Sequence, residues 1–107
     1  MVDVKESDWK LFRQRLSIWQ ENYIDRLNRS YIELLESDKA PSDKFWELEK
    51  RIQRDQRSVG VQAQMSRFMM EISILNLLKD EAIGLDDLEG FSDDLKEKMR
   101  YLMRGDE

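Results

Sequence analysis

The first third of the sequence repeats apolar side chains at steps of three and four residues. The residues that make up this stripe are Trp9, Phe12, Leu16, Trp19, Tyr23, Leu27, Tyr31 and Leu34. Such spacing places them along one side of an α-helix. It predicts one long amphipathic helix that begins after a Ser7 cap and ends near Glu36, because the segment Ser37–Pro41 interrupts the pattern. A helix with this stripe needs other elements to pack against.

The middle of the sequence predicts two more helices. Ser42 is placed to cap the second, which runs from Asp43 to about Arg57. The third is expected from Val61 to about Lys79 and is apolar nearly all round, which is typical of a central helix. We therefore expect Phe68 and Ile72, in its middle, to be almost fully buried.

The end of the sequence predicts a single helical turn at 86–89 and a last helix that Ser92 caps. That last helix carries Leu95, Met99 and Leu102 on one side. No segment is predicted as a strand. The fold class is therefore all-α, a compact bundle of about four helices with one long N-terminal helix and a central apolar third helix.

Length and composition limit this bundle to a single domain, 1–107. The chain has 107 residues, of which 40% are hydrophobic and 38% charged. That is enough apolar material for one modest core, and too little chain for two domains. No segment resembles a signal peptide or a membrane span. We expect a soluble, cytoplasmic protein that does not enter a membrane.

The chain contains neither His nor Cys. Their absence removes the usual general base near neutral pH, the thiolate nucleophile and the commonest ligands of transition metals. No spacing of the remaining Asp, Glu, Lys, Ser or Tyr residues singles out an active site. We therefore expect no enzyme activity and assign no catalytic, cofactor-binding or metal-ligating residue, no cofactor and no small-molecule substrate.

Helix one has a second set of apolar residues, on the side away from its main stripe. Leu11, Ile18 and Ile32 lie there and form the candidate protein interface. A four-helix domain has few elements left to cover them, and a twofold pairing of helix one would do so. The sequence thus favours a protein–protein interaction module that binds itself, as a homodimer, or another protein.

Helix two offers a different kind of candidate patch, for an anion or a nucleic acid. Its members share or adjoin one face of the helix and are Trp46, Lys50, Arg51, Arg54 and Arg57. An aromatic ring among cations can stack a base and bind phosphate. One alternative function is therefore a nucleic-acid-associated regulator, although the net charge of −5 opposes general affinity for nucleic acid.

The last third of the sequence is acidic, with carboxylates at Asp86, Asp87, Glu89, Asp93 and Asp94. The spacing is not that of a calcium-binding loop. Acids are favourable in the first turn of a helix, where the backbone N–H groups point outward, and this explains most of them. A further alternative is an acidic decoy that inhibits a nucleic-acid-binding protein.

Several short strings spread over nearly the whole chain resemble a family of small bacterial all-helical proteins with no assigned function. The strings are Asp8-Trp9-Lys10-Leu11-Phe12, Phe45-Trp46-Glu47-Leu48-Glu49-Lys50-Arg51-Ile52, Gly60-Val61-Gln62, Met65-Ser66-Arg67, Asp86-Asp87-Leu88 and Phe91-Ser92-Asp93-Asp94-Leu95. The resemblance implies a bacterial, single-domain helical protein. It implies no activity, cofactor or functional residue.

Overall fold

The computed structural model describes residues 4–105, and every regular element within that range is helical. The elements in chain order are α1 (Glu6–Glu36), α2 (Pro41–Gln56), α3 (Val59–Gln62), α4 (Met70–Lys79), a 3-10 turn (Leu85–Leu88) and α5 (Asp93–Arg104). The prediction of an all-α fold with a long N-terminal helix is confirmed. No helix between residues 4 and 105 combines the length and apolar character that a bilayer crossing requires.

Helix α1 determines the shape of the molecule. Its 31 residues extend over roughly 46 Å at the usual helical rise, in a molecule whose axes measure 52 × 29 × 23 Å. The radius of gyration is 16.5 Å, against about 13 Å for a spherical domain of this length. The molecule is elongated because α1 and α2 form a helical hairpin that extends beyond the main core.

The main core lies against the first half of α1. Phe12, Leu16 and Trp19 of the predicted stripe are buried there. They pack with buried side chains from α4, the 3-10 turn, α5 and the segments between them, namely Met70, Ile74, Leu77, Leu78, Ile83, Leu88, Phe91, Leu95 and Met99. Helix α4, which covers the second half of the predicted third helix, is thus central.

The predicted continuous helix from Val61 to Lys79 is wrong, because the chain leaves the helix after Gln62 and re-enters it at Met70. Gln20 of α1 explains the interruption. Its side-chain amide donates hydrogen bonds to the carbonyl oxygens of Val61, at 3.3 Å, and Ala63, at 2.8 Å. Carbonyl groups at the end of a helix need such partners, and here they come from a residue more than forty positions earlier.

The expected burial of Phe68 and Ile72 is also wrong. Phe68 lies in the connection before α4 with 74% of its surface exposed, and Ile72 is 49% exposed. Once α4 begins at Met70, its buried side is the one that carries Met70 and Ile74, and Ile72 projects from the opposite side.

Two of the three predicted serine caps are wrong. Ser7 and Ser42 lie inside the first turns of their helices, where Lys5 and Ala40 occupy the capping positions. Pro41 begins α2, because its fixed φ suits the first helical position. Ser92 does cap α5, and its hydroxyl oxygen accepts a hydrogen bond from the Leu95 N–H.

Candidate docking surface on the helical hairpin

Helix α2 leaves most of its large apolar side chains exposed. It carries Phe45, Trp46, Leu48 and Ile52, yet Asp55 is the one residue of α2 that is buried. Phe45 is 62% exposed, Trp46 56% and Ile52 37%. An amphipathic helix of sixteen residues ordinarily buries its apolar side against a core, so this surface is unusual within the molecule.

Two polar contacts lie near the turn of the hairpin, and one of them joins α2 to α1. Ser37 follows α1, and its hydroxyl donates to the carbonyl of Leu34 at 2.7 Å. Lys44 of α2 reaches back and donates to the carbonyl of Leu35 at 2.9 Å. Both contacts satisfy carbonyl groups at the end of α1 that have no partner inside the helix. The exposed apolar surface therefore lies on a defined pair of helices.

An open groove runs between the two helices of the hairpin, and we call it the hairpin groove. It is lined by Ile24, Leu27, Asn28 and Tyr31 of α1, Ile52, Asp55 and Gln56 of α2, and Val61 of α3. Its volume is about 280 Å³, slightly below the range of about 300–1,000 Å³ that is common for small-molecule sites.

One wall of the hairpin groove contains a polar cluster. The Tyr31 hydroxyl donates a hydrogen bond of 2.6 Å to Asp55 Oδ2, and Arg54 Nε donates one of 3.0 Å to Asp55 Oδ1. Burial and the adjacent carboxylate raise the pKa of Tyr31 to about 12. Burial alone would raise the pKa of Asp55, but the hydrogen bonds from Tyr31 and Arg54 outweigh it and lower that pKa. At neutral pH the wall therefore holds a neutral phenol and an ionised carboxylate.

Two further apolar residues continue the hairpin groove toward the turn of the hairpin. Leu35 lies four residues after Tyr31, and Phe45 lies seven residues before Ile52, so both share the groove side of their helices. Leu35 is 48% exposed, and Phe45 is exposed to a larger extent. Phe45 also contacts the ring of Trp46 edge to face, with 5.0 Å between centroids. The apolar surface thus extends over several helical turns.

The three predicted interface residues on α1 lie in different surroundings. Leu11 is partly buried against the main core, and its Cδ2 lies 3.2 Å from the point where a Cβ of Gly90 would be. Ile18 is 57% exposed, and Ile32 is 52% exposed. Ile18 borders a shallow depression that Asp86 and Glu89 also line. The structure therefore does not bring the three together as one free apolar face.

The predicted basic patch on α2 is partly neutralised within the chain. Arg51 pairs with Glu47 at 3.0 Å, and Arg54 pairs with Asp55 at the same distance. Lys50 is exposed on the same helix.

Arg57 and Trp46, the other members of that patch, are exposed as well. Among residues 4–105, Lys50 and Arg57 are the patch cations without an ion pair. Two separate cations and a ring form a weaker phosphate-binding surface than the sequence pattern suggests.

Some acidic residues of the last third of the sequence form hydrogen bonds or ion pairs within the chain. Asp87 Oδ2 accepts from the Gly84 N–H at 2.8 Å, and Asp94 pairs with Lys5 at 2.9 Å. Asp86, Asp87, Asp93 and Asp94 all lie in first turns, as helix electrostatics favours. No group of three or more carboxylates in residues 4–105 is arranged to hold a metal ion.

The sequence pattern did not predict the hairpin groove, because the spacing of Phe45, Leu48 and Ile52 shows an apolar side of α2 without showing what covers it. Four further apolar residues are exposed close to the break after α3, namely Met65, Phe68, Met69 and Ile72.

Comparisons of the chain with protein-family models, with curated proteins and with solved structures gave no match.

Proposed function

We propose that this protein is a protein–protein interaction module and that the hairpin groove is its docking surface. The observation that carries the proposal is that α2 leaves Phe45, Trp46 and Ile52 exposed, although hydrogen bonds from Lys44 and Tyr31 join α2 to α1. Covering Phe45 and Ile52 on binding would contribute roughly 1–2 kcal/mol each. Contiguous exposed apolar patches of this kind are typical of interaction sites.

Self-association through α1, which the sequence favours, has less support than docking at the hairpin groove. Leu11 already packs against the chain's own core, so a pairing of α1 helices would have Ile18 and Ile32 as its main anchors. These two residues are separated by fourteen positions, or roughly 21 Å of helix. Single exposed apolar residues at that distance are ordinary on a protein surface.

The nucleic-acid alternative also has less support. Arg51 and Arg54 are each engaged by a carboxylate of α2, which reduces the positive potential that phosphate binding requires. Trp46 packs its ring against Phe45. The acidic decoy alternative has no feature in its favour beyond the net charge.

Photocrosslinking tests the proposal directly. The photoreactive residue p-benzoylphenylalanine replaces Phe45, and the protein is irradiated in native lysate of the source organism. We expect one discrete adduct, and excess unlabelled protein should compete it away. Excess protein with Phe45→Asp and Ile52→Asp should fail to compete, because an aspartate in the hairpin groove would be desolvated by the partner.

Tyr101 supplies the matched control position. It is an aromatic residue of α5 that is 70% exposed and does not line the hairpin groove. The same photoreactive residue at this position should not give the competed adduct. Equal adducts from both positions, or no competed adduct from position 45, would refute the proposal. Circular dichroism of the aspartate variant confirms that it retains its helices.

A further inference from the structure

We infer that the occupant of the hairpin groove is a basic amphipathic helix of another protein. This inference rests on the proposed function and adds the chemistry of the partner. Three observations support it: the shape of the groove, the sign of the charges along its edges, and the mismatch that a second copy would create.

The shape of the hairpin groove fits a helix. Its lining on α1 extends from Ile24 to Tyr31, and Leu35 continues it, so it covers roughly 17 Å. That length accommodates two to three helical turns of a partner. Apolar side chains that recur at three and four residues on such a partner would enter the space between α1 and α2, as in other helix-in-groove complexes.

The edges of the hairpin groove are acidic. Glu21 and Asp25 lie within four residues of Ile24 and share the outer edge of α1. Glu49 lies three residues before Ile52 and forms the edge on α2. All three carboxylates are exposed, and the Asp25 charge is partly balanced by Arg29 at 3.0 Å. The ionised Asp55 in the wall is balanced by Arg54 at 3.0 Å, so Glu21 and Glu49 supply the net negative charge of the edges.

Two cations of α2 lie away from these edges, since Lys50 and Arg57 follow the other side of the helix by their spacing from Ile52. Arg54 instead pairs with Asp55 in the groove wall. Lys44 is directed at the end of α1, where it donates to the Leu35 carbonyl. A partner with Lys or Arg on both sides of its apolar stripe would therefore meet complementary charge along both edges of the groove.

A second copy of the chain does not have this complementarity. A symmetric pair presents the same patch from both subunits, so two hairpin grooves in contact would bring Glu21 and Glu49 toward carboxylates of the other copy. Like charges across an interface are unfavourable and select against that pairing. The basic side of α2 would remain outside such a dimer.

Selection from a displayed library of helical peptides tests the inference without assuming a sequence. The peptides have randomised surface positions, are selected on the wild-type protein, and are depleted on the Phe45→Asp, Ile52→Asp variant. We expect the enriched peptides to carry an apolar stripe flanked by more Lys and Arg than Asp and Glu.

The charge contribution is then measured on the best peptide. Its affinity should fall by about 3- to 10-fold in the Glu21→Gln, Glu49→Gln variant, as the loss of two exposed ion pairs predicts. The affinity of the peptide for the wild-type protein should fall by a similar factor when the salt concentration is raised. The matched control is Glu33→Gln, an exposed carboxylate on α1 outside the groove, which should leave the affinity unchanged.

The other outcomes separate this inference from the proposed function. Groove-dependent peptides with neutral or acidic flanks would overturn the basic partner and leave the docking function standing. Peptides that bind the wild type and the aspartate variant equally would refute both. A dimer in light scattering that Phe45→Asp dissociates would replace the basic helix with a second copy.

Discussion

The carboxylate of Asp8 accepts two hydrogen bonds from Ser92, a residue 84 positions later in the chain. The Ser92 N–H donates to Oδ1 at 2.8 Å, and the Ser92 hydroxyl donates to Oδ2 at 2.6 Å. Asp8 is almost completely buried. The start of α1 is thereby attached to the start of α5, and the same serine caps α5 through the Leu95 N–H. One pair of residues closes the main core at the end opposite the hairpin.

Replacing Asp8 should destabilise the fold. Asp8→Ala leaves the Ser92 N–H without its acceptor and removes a charge-assisted hydrogen bond, so we expect a loss of about 2–4 kcal/mol in the free energy of unfolding. Urea denaturation followed by circular dichroism measures it. Asp8→Asn retains an oxygen acceptor and should lose less.

Asp93→Ala is the control for charge alone. Asp93 is exposed in the first turn of α5, so its loss should cost at most about 1 kcal/mol through the helix dipole. If Asp8→Ala costs no more than Asp93→Ala, the buried hydrogen bonds do not stabilise the closure.

Two neighbouring apolar residues should respond very differently to truncation. Phe68 is mainly exposed, whereas Met70 is completely buried in the main core. We expect Phe68→Ala to change the free energy of unfolding by less than about 0.5 kcal/mol. Met70→Ala should lower it by about 2–5 kcal/mol through the cavity that remains. Equal losses from the two substitutions, measured by urea denaturation, would place Phe68 in the core after all.

Phe68 and Met70 show how far the sequence determines the fold. The periodic stripe of α1 is a local pattern, and it correctly predicted the long first helix of an all-α domain. The central helix was predicted from Val61 to Lys79, but only its second half, α4, is a helix of the main core. The break after α3 depends on the Gln20 amide, whose contacts with Val61 and Ala63 are tertiary. Helix periodicity contains no information about such contacts. The hairpin groove was missed for the same reason, since the spacing in α2 shows an apolar side without showing what covers it.

The Tyr31–Asp55 pair should make the free energy of unfolding decrease at alkaline pH. The pKa of Tyr31 is raised from 10.0 to about 12, so the folded state favours the neutral phenol. The contribution of this pair is fully present below pH 10 and is lost as the pH rises from 10 to about 12. Tyr31→Phe should remove this alkaline dependence and cost about 1 kcal/mol near neutral pH, because Asp55 loses a hydrogen bond.

Absorbance titration of the tyrosines checks the assignment. The protein has three tyrosines, and one of them should ionise near pH 12 in the wild type. That component should disappear in Tyr31→Phe and move to lower pH in Asp55→Asn, because the neighbouring negative charge is gone. A late component that persists in Tyr31→Phe would belong to another tyrosine and would contradict the assignment.

Asp55 should make the free energy of unfolding decrease at acidic pH, whereas Tyr31 makes it decrease at alkaline pH. Its pKa is lowered from 3.8 despite burial, because Tyr31 and Arg54 both donate to the carboxylate. The stabilisation is therefore present above pH 3.8 and is lost as the pH falls through the lowered pKa. Asp55→Asn should show a smaller decrease in unfolding free energy than the wild type when the pH is lowered from 5 to 2. An identical decrease would show that Asp55 titrates in the folded protein as it does in the unfolded chain.

The contact between α3 and α1 should depend on Gly60 having no side chain. A Cβ at this position would lie 2.6 Å from Cε2 and 2.7 Å from Cγ of Tyr23, which is too close for the ring to remain in place. Gly60→Ala should therefore lower the free energy of unfolding by about 1–3 kcal/mol, although alanine is the better helix former.

A double-mutant cycle isolates the cause. In a Tyr23→Ala background the clash is absent, so Gly60→Ala should be neutral or stabilising by up to about 1 kcal/mol. The same loss in both backgrounds would mean that the close approach of α3 to the Tyr23 ring is not what requires glycine at this position.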